Sequence, residues 1–420
     1  MPSVVSNAQD AGPPPICIRL TRLNRNSVAS LLSVLEDEVG NGIDLRLFTD
    51  VEEVPAGALV VYSFMTPQVD AVREEVGRLR DAMGESMLTI AGGPHPSGDP
   101  QGTLAMGFRW VAVGEAGTPF AELVRSVLAG SKPKPGVLPP WTLPNLDRYD
   151  PWPGSGRLFA HVEITRGCPI GCAFCQTPTL FGRKPRHRSL AALERLLRDS
   201  VRTGHRFTRF VAPNAFAYGS RDGRTPNPNE VEALLTMARR CGLKKVFFGT
   251  FPSEVRPESA TPELLRLVHD LCDNRNLSVG LQSGSDDVLR RLHRGHTVEQ
   301  GVKAVANMSK AGFVARVDFI FGLPGETDAQ RRATREVVEH VTSVYGARVH
   351  AHVFTPLPGT PLAGATPSTI DTETRELVEA LRGRGLASGH RTDFGRLPPH
   401  LVRMHESGRS PEGCTDDTSR

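Results

Sequence analysis

The sequence Thr165–Pro178, TRGCPIGCAFCQTP, places three of the chain's seven cysteines, Cys168, Cys172 and Cys175, within one short stretch. Glycine and proline residues lie between them, which favours a tight loop rather than a helix. The preceding stretch, FAHVEIT, is predicted to be a strand. Because the loops after the strands of a parallel α/β barrel carry the functional residues, we expect the three thiols to face a site.

Three clustered cysteines are typical of a metal site, and their density argues against unrelated packing residues. A tetrahedral zinc site takes four ligands, so zinc would need a further residue such as His161. An iron–sulfur cluster also usually takes four cysteines, and three would leave one iron open to an external ligand, which we favour. The isolated Cys17 and Cys241 are interpreted as packing residues, and Cys272 and Cys414 have no predicted role.

From Leu158 onward the sequence alternates apolar runs with amphipathic stretches. The predicted strands are FAHVEIT, FTRFVAP, KVFFGTF, LSVGLQS, RVDFIFG and VHAHVFT. Six β/α units in about 200 residues predict a partial (β/α)6 barrel, smaller than the eightfold one. We assign it to residues 158–365 and expect a helix and a loose tail over residues 366–420.

The amino-terminal region has the same alternation. Its predicted strands are ICIRL, LRLFT, ALVVYSF, MLTIAGG and WVAVG. This order predicts a parallel, doubly wound Rossmann-like domain over residues 16–130, after a disordered tail of residues 1–15. Residues 131–157 are rich in proline and have no hydrophobic period, so we predict a linker there.

Composition excludes several classes of function. The net charge of +4 on 420 residues does not indicate a nucleic-acid binder. No run of about 18 apolar residues is present, and the polar first residues do not resemble a signal peptide. We therefore expect a cytoplasmic protein without a membrane partner, in which clustered thiols are metal-binding or catalytic rather than disulfide-bonded.

The C-x3-C-x2-C pattern, with Phe174 before its last cysteine, resembles that of the radical S-adenosylmethionine (SAM) enzymes. The resemblance implies a [4Fe–4S] cluster held by Cys168, Cys172 and Cys175, with SAM on the fourth iron and Phe174 beside it. An electron from the cluster would cleave SAM to a 5′-deoxyadenosyl radical. It also implies a reductant such as flavodoxin or ferredoxin.

Later stretches resemble the strand ends of the same superfamily: VGLQSGSDDVLRRLHRGHT, DFIFGLPGET and FTPLPGTPL. By this resemblance Gln282 and Ser283 would reach the carboxylate or ribose of SAM, and Gly322 would let the backbone approach it. Glu254 and Arg256 follow the third strand. An arginine suits a carboxylate and a glutamate suits an amine or ribose hydroxyl, but a surface salt bridge is an equal alternative.

Two features depart from the family or stay open. The Gly-Gly-Glu that commonly follows the second strand is absent, and VAPNAFAYG offers only Asn214 as an alternative ligand for the SAM amine. The basic run RKPRHR, residues 183–188, is interpreted as a solvated face, with an anionic substrate or partner as the alternative.

The domain of residues 16–130 resembles a cobalamin-binding domain, since turns of small residues follow its predicted strands: YSFMTP, AGGPHPSGDP and VGEAGTPF. The resemblance implies cobalamin contacts from Ser63, Thr66, Gly92, Gly93 and Glu115. The usual Asp-x-His-x-x-Gly is missing after the first strand, so we expect no histidine ligand to cobalamin. A Rossmann-like domain without a cofactor is the alternative.

Together these resemblances imply a cobalamin-dependent radical SAM enzyme that methylates an unactivated carbon of a small-molecule or peptide substrate. The alternatives are a radical rearrangement, cyclisation or oxidation with the same cofactors, and a non-catalytic cobalamin or iron–sulfur sensor. A methylthiotransferase is disfavoured, because its amino-terminal domain would resemble those with three further cysteines, and only Cys17 lies there.

Overall fold

The computed structural model describes residues 12–131 and 133–389. These residues divide into two compact units. The first contains the described chain up to Gly167 together with Thr177–Thr208, and the second contains Cys168–Gln176 and the described chain from Arg209 onward. Cys414 lies outside the described residues, as does most of the predicted carboxyl-terminal tail.

The strands of the first unit are β1 Ile16–Arg19, β2 Leu45–Phe48, β3 Leu59–Ser63, β4 Leu88–Gly92, β5 Trp110–Val111, β6 Gly136–Val137, β7 Val162–Glu163, β8 Thr165–Arg166 and β9 Arg186–His187. Its helices are α1 Arg25–Glu38, α2 Val69–Met83, α3 Pro94–Gly98, α4 Pro100–Ala105, α5 Thr118–Leu128, α6 Thr177–Phe181 and α7 Leu190–Arg202.

A six-stranded parallel sheet in the order β2-β1-β3-β4-β5-β6 forms the centre of this unit. Every residue of β3 is buried, as expected for a continuous apolar strand that is covered on both faces. The direction of strand addition changes at β1, between β2 and β3. In doubly wound sheets, ligands bind beyond the carboxyl ends of the strands at such a switch point.

The segment predicted as a linker packs on the first unit. Its residues Gly136–Val137 form β6 at the edge of the sheet, and Trp141 makes a parallel bridge with Gly114. Leu143 and Leu146 are buried. The proline-rich composition therefore marks an irregular course over the surface of a unit, not a freely mobile connection.

The strands of the second unit are β10 Phe207–Val211, which starts at the boundary, β11 Lys245–Phe247, β12 Asn276–Gln282, β13 Val314–Phe321, β14 Arg348–Val353 and β15 Ala387–Gly389. Its helices are α8 Pro228–Arg240, α9 Pro262–Leu271, α10 Asp286–Arg291, α11 Val298–Lys310, α12 Asp328–Tyr345 and α13 Thr372–Gly383.

Strands β12 to β15 form a parallel sheet in sequence order, and β10 lies beside β11. A parallel bridge between Val255 and Val279 joins the segment after β11 to β12. The succession of strands is that expected for a partial barrel. The predicted class, α/β with parallel sheets, is confirmed. Strand β15 lies where only a helix and a loose tail were predicted.

The basic run of residues 183–188 is not the solvated face that we predicted. Arg186 and His187 form β9, which pairs antiparallel with β8. Arg188 is buried and donates to the backbone carbonyl of Tyr149, 3.1 Å away. The prediction is wrong for these arginines because buried carbonyl and carboxylate groups accept their hydrogen bonds; only Arg183 and Lys184 are exposed.

No helix in the described ranges combines the length and the apolar character that a membrane crossing requires.

Candidate functional site

The three-cysteine loop of the second unit is held from several sides. The backbone N–H of Ala173 donates to Leu292 O at 3.0 Å, and its carbonyl accepts from Leu362 N at 3.2 Å. The side chain of Gln176 donates to Pro358 O at 2.8 Å. Gly171 has φ +70°, a left-handed conformation that glycine adopts without strain. The loop is therefore positioned by the segments that follow α10 and β14.

None of the three cysteines of the loop forms a disulfide with a described residue; Cys172 is buried, and Cys168 and Cys175 are partly exposed. A tetrahedral zinc ion would hold its sulfur ligands roughly 3.8 Å apart, from a Zn–S distance of about 2.3 Å. Across residues 12–131 and 133–389, the three cysteine sulfurs do not form a group within 4.8 Å of one another. The three sulfurs are thus not arranged as the ligands of a single ion in this structure.

Hydration of the thiols is limited. Burial raises the pKa of Cys168, while Arg256 and Arg294 lower it by a smaller amount. A metal ligand must be the thiolate, so occupation of the site would release the proton of this thiol.

Arg294 was not among the predicted site residues, yet it reaches the cysteine loop. Its Nη1 donates to Cys172 Sγ at 3.4 Å, and its guanidinium lies 5.9 Å from the centre of the Phe174 ring. A further donor meets the carbonyl of Gly280. Its Nε is buried and has no hydrogen-bond partner among the described residues. An arginine that is only 6% exposed and keeps an unused donor is suited to bind an anion.

Three polar side chains converge at Gly280. A Cβ atom there would lie 2.5 Å from Gln282 Nε2, 2.8 Å from Arg294 Nη2 and 3.2 Å from Glu254 Oε2. Any side chain at position 280 would displace them. A register shift between Gly280 and Gln282 and a φ of +77° at Gln282 turn the end of β12. Such irregularities re-aim side chains and occur often beside functional sites.

The side chain of Glu254 is exposed, although neighbouring protein atoms crowd its carboxyl. Loss of hydration raises its pKa, and the nearby Asp318 carboxylate raises it further, whereas Arg294 opposes both effects. The structure therefore brings together two of the predicted SAM-binding residues, Glu254 and Gln282, with Arg294.

Arg256 and Asn214, predicted to face SAM, serve other partners. The Arg256 guanidinium donates to Glu258 and to the carbonyl of Arg294. Asn214 accepts from Arg256 N at 3.3 Å and donates to Ser259 Oγ at 2.9 Å. Both residues thus support the segment that carries Arg294.

Ser283 is fully buried, with its hydroxyl 3.3 Å from Thr334 Oγ1, and it does not join the group at Gly280. A Cβ at Gly322, whose φ is +77°, would lie 2.9 Å from Ser368 O, so glycine here admits another part of the chain. Phe174 packs against an apolar cluster whose buried members are Val288, Leu292, Ile320, Leu323 and Phe354.

A second polar group, also not predicted, lies on neighbouring strands. Asp318 of β13 and His350 of β14 are register partners, and Asp318 Oδ1 lies 2.9 Å from His350 Nδ1 and 3.1 Å from His352 Nε2. Burial alone would raise the pKa of Asp318, but the hydrogen bonds from the two histidines outweigh it and lower that pKa. The three ligand atoms lie within 4.8 Å of one another.

In the first unit, the ends of β3 and β4 bring together four of the residues predicted to contact cobalamin. Ser63 ends β3 and Gly92 ends β4. A Cβ at Gly93, where φ is +94°, would lie 2.9 Å from Ser63 Oγ. Thr66 Oγ1 lies 3.2 Å from Nδ1 of His95, which is buried and stacks on a phenylalanine ring. His95 is thus engaged within the unit.

Glu115, the fifth predicted cobalamin residue, has a fully buried carboxylate. Arg166 donates to it at 2.9 Å, Arg186 at 2.5 Å, and the backbone N–H of Leu143 at 2.9 Å. This carboxylate compensates two arginines and fixes the proline-rich segment. We therefore do not assign Glu115 to the cobalamin site.

A loop of three cysteines, followed by parallel β/α units and flanked by converging polar groups, is the arrangement expected for a radical SAM domain. Residues 162–338 match the family model of the Radical SAM superfamily. This part of the chain is therefore a radical SAM domain, as the cysteine pattern predicted.

Proteins of similar sequence include the uncharacterised protein MK0932 of Methanopyrus kandleri, 29% identical over 58% of this chain and 48% of that protein. A tRNA-2-methylthio-N(6)-dimethylallyladenosine synthase of Acidithiobacillus ferrooxidans is 31% identical over 64% of this chain and 59% of its own. The chain thus spans about half to three fifths of the length of these relatives.

Two solved structures share the fold. The radical SAM methyltransferase TsrM from Kitasatospora setae, with cobalamin and a [4Fe–4S] cluster bound, has a TM-score of 0.63, with 15% identity over 84% of this chain and 74% of its own. The cobalamin-dependent SAM radical enzyme OxsB has a TM-score of 0.60, with 16% identity over 78% of this chain and 52% of its own. At this identity the likeness concerns the fold.

Proposed function

We propose that this protein is a cobalamin-dependent radical SAM enzyme that methylates an unactivated carbon of a small-molecule or peptide substrate. The observation that carries the proposal is the group beside the cysteine loop. Arg294 contacts Cys172, and its guanidinium converges with Glu254 and Gln282 at Gly280. Three sulfur ligands with an adjacent buried cation, an amide donor and a carboxylate suit a cluster that binds a zwitterionic ligand.

Each of these residues has a role in the proposal. Cys168, Cys172 and Cys175 hold a [4Fe–4S] cluster and leave one iron for SAM. Arg294 pairs with the SAM carboxylate through its planar guanidinium, and Glu254 accepts from the amine or a ribose hydroxyl. Phe174 and its apolar cluster exclude water beside the loop. When bound, the reduced cluster supplies the electron that cleaves SAM to a 5′-deoxyadenosyl radical.

Cobalamin is assigned to the first unit, beyond the carboxyl ends of β3 and β4. The support is the parallel sheet with its switch point at β1, the small polar residues Ser63, Thr66 and Gly92, and a fold shared with two cobalamin-bound structures. No histidine is assigned as a ligand, because His95 is buried against Thr66. Methyl transfer, rather than a rearrangement, cyclisation or oxidation, is the reaction named for TsrM.

A methylthiotransferase acting on tRNA is the second candidate, since a curated relative carries that activity in its name. Such a reaction needs a sulfur source besides the SAM-binding cluster. In residues 1–167 the sequence has one cysteine, Cys17, and it is buried in β1. This cysteine content favours methyl transfer over methylthiolation.

The test is SAM cleavage by the full chain after anaerobic reconstitution with iron and sulfide. Cys172→Ala should lose bound iron and form no 5′-deoxyadenosine with a flavodoxin, a ferredoxin or dithionite as reductant. Cys272→Ala, a partly buried cysteine of the same unit outside the loop, is the matched control and should keep both. Wild-type iron content in Cys172→Ala would contradict the cluster assignment.

Two further measurements test the assignment of cobalamin and of methyl transfer. One corrinoid per chain is expected by absorbance, and its absence would remove cobalamin from the proposal. Label from methyl-labelled SAM should enter a carbon of the product. Label on product sulfur would favour methylthiolation, and an intact cluster without 5′-deoxyadenosine would favour a sensor.

A further inference from the structure

The exposed face of β13 and β14 carries two adjacent arginines. Residues of β13 alternate: Val317 and Phe319 are fully buried, whereas Arg316 is exposed and lies on the same face as Asp318. Arg316 and Arg348 are register partners in this parallel pair, so their side chains leave neighbouring strands side by side. Like charges in directly opposed positions of a sheet repel each other.

A third arginine comes from β10. Arg209 donates to the carbonyl of Phe251 at 3.2 Å, and its guanidinium lies 4.3 Å from the centre of the Phe247 ring. Burial lowers the pKa of Arg209, and repulsion by Arg316 lowers it further. Phe251 follows Thr250, whose Oγ1 donates to Asn276 Oδ1 at 2.8 Å, and Asn276 of β12 is the register partner of Val314 on β13. These contacts place Arg209 near the strand that carries Arg316.

The described residues supply none of these three arginines with a compensating carboxylate. Within the described chain, no Asp or Glu oxygen lies within 4.0 Å of Arg209, Arg316 or Arg348. Asp318, two residues along the strand from Arg316, is engaged by His350 and His352 instead. Guanidinium groups on nearby strands that have no carboxylate partner among the described residues are suited to bind an anion from outside the chain.

The arginines lie on a face that leads to the proposed SAM site. Two residues of strand separate Arg316 from Asp318 by roughly 7 Å. Asp318 is the register partner of Gly280, where Glu254, Gln282 and Arg294 converge. Apolar surface accompanies the charge: Phe251 is 68% exposed, and Val314, on the same face as Arg316, is 36% exposed. A ligand here would meet cations and apolar side chains together.

We propose that Arg209, Arg316 and Arg348 form the recognition site for an anionic group of the substrate, a carboxylate or a phosphate ester. The apolar part of the substrate contacts Phe247 and Phe251, and its remainder extends along the strands toward Asp318. The assignment of this anion to the substrate rests on the proposed function, whereas binding of an anion by the three arginines does not.

The test is calorimetric titration of the reconstituted full chain at low ionic strength. Pyrophosphate is the phosphate probe and citrate is the carboxylate probe, with chloride as the ionic-strength control. Saturable binding of either probe with one site per chain is expected, and the tighter probe identifies the anion class. The Arg316→Gln/Arg348→Gln double variant should bind that probe at least about tenfold more weakly.

Arg332→Gln, an exposed arginine on α12, is the matched control and should bind as the wild type does. The iron content of every variant is measured to show that the fold is retained. Absence of saturable binding, or equal affinity in the double variant, would overturn the proposal. If 5′-deoxyadenosine is formed in that case, the anion site fails while the proposed function stands. If the chain binds the anion but does not cleave SAM, the anion site stands while the proposed function fails.

Discussion

Two buried arginines of the second unit differ in whether they keep a hydrogen-bond donor that a ligand could use. Arg256 is paired with Glu258 and the carbonyl of Arg294, whereas Arg294 keeps a donor without a partner among the described residues. A buried unused donor costs free energy unless a ligand or water meets it. The contrast assigns contact with the ligand to Arg294 and support to Arg256.

The exchange Arg294→Gln should weaken SAM binding by about 10- to 100-fold, because a charge-assisted hydrogen bond contributes roughly 1.5–3 kcal/mol. Equilibrium binding of SAM to the reconstituted protein measures it. Arg290→Gln, on the exposed face of α10, should leave the affinity unchanged. Wild-type affinity in Arg294→Gln, at equal iron content, would exclude Arg294 from the SAM site.

Neighbouring residues at a strand end also show what the sequence predicts and what it does not. Gln282 and Ser283 were equal candidates, but the irregularity after Gly280 directs Gln282 to the polar group and buries Ser283 against Thr334. A period of two cannot place a side chain across a register shift, because the alternation is interrupted there.

Strands with a clear hydrophobic pattern in their own sequence were predicted. Short strands that form only through pairing with a neighbouring strand were not. Continuous apolar runs indicated β3 and β4, and the largely apolar run RVDFIFG indicated β13. The two-residue strands β6 and β9 exist through pairing with β5 and β8. Such short segments carry too few residues for a hydrophobic period, so proline content or charge dominated their interpretation.

The turn between β13 and α12 contains a titrating carboxyl. Glu326 accepts a hydrogen bond from Leu323 N at 3.0 Å, and burial raises its pKa from 4.5 to about 7. Between these two values the folded chain binds a proton that the unfolded chain has lost. Stability therefore falls as pH rises through this window and stays low above it.

The exchange Glu326→Gln keeps an acceptor for Leu323 N and removes the titration. The variant should be more stable than wild type at pH 8 by about 1–3 kcal/mol, and the difference should shrink toward pH 5. Urea denaturation at the two pH values measures it. Glu339→Gln, exposed on α12, should show no such pH dependence. A constant difference between Glu326→Gln and wild type would contradict the raised pKa.

At the scale of the whole molecule, local motifs identified the class, and residues from separate strands completed the sites. The cysteine spacing lies within one loop, so the sequence alone could predict it. Asp318, His350 and His352 meet because β13 and β14 pair in a particular register, and contacts through Phe251 and β12 bring Arg209 near the strand that carries Arg316. Register and strand order are tertiary properties, which a single sequence without a repeated pattern does not reveal.

The central claim is that three cysteines hold a cluster with one iron available to SAM. The most direct test is the electron paramagnetic resonance spectrum of the anaerobically reconstituted, dithionite-reduced protein, recorded without and with SAM. The account predicts a [4Fe–4S]⁺ signal whose g values change when SAM is added. A protein that contains only zinc, or a cluster whose spectrum SAM leaves unchanged, would contradict it.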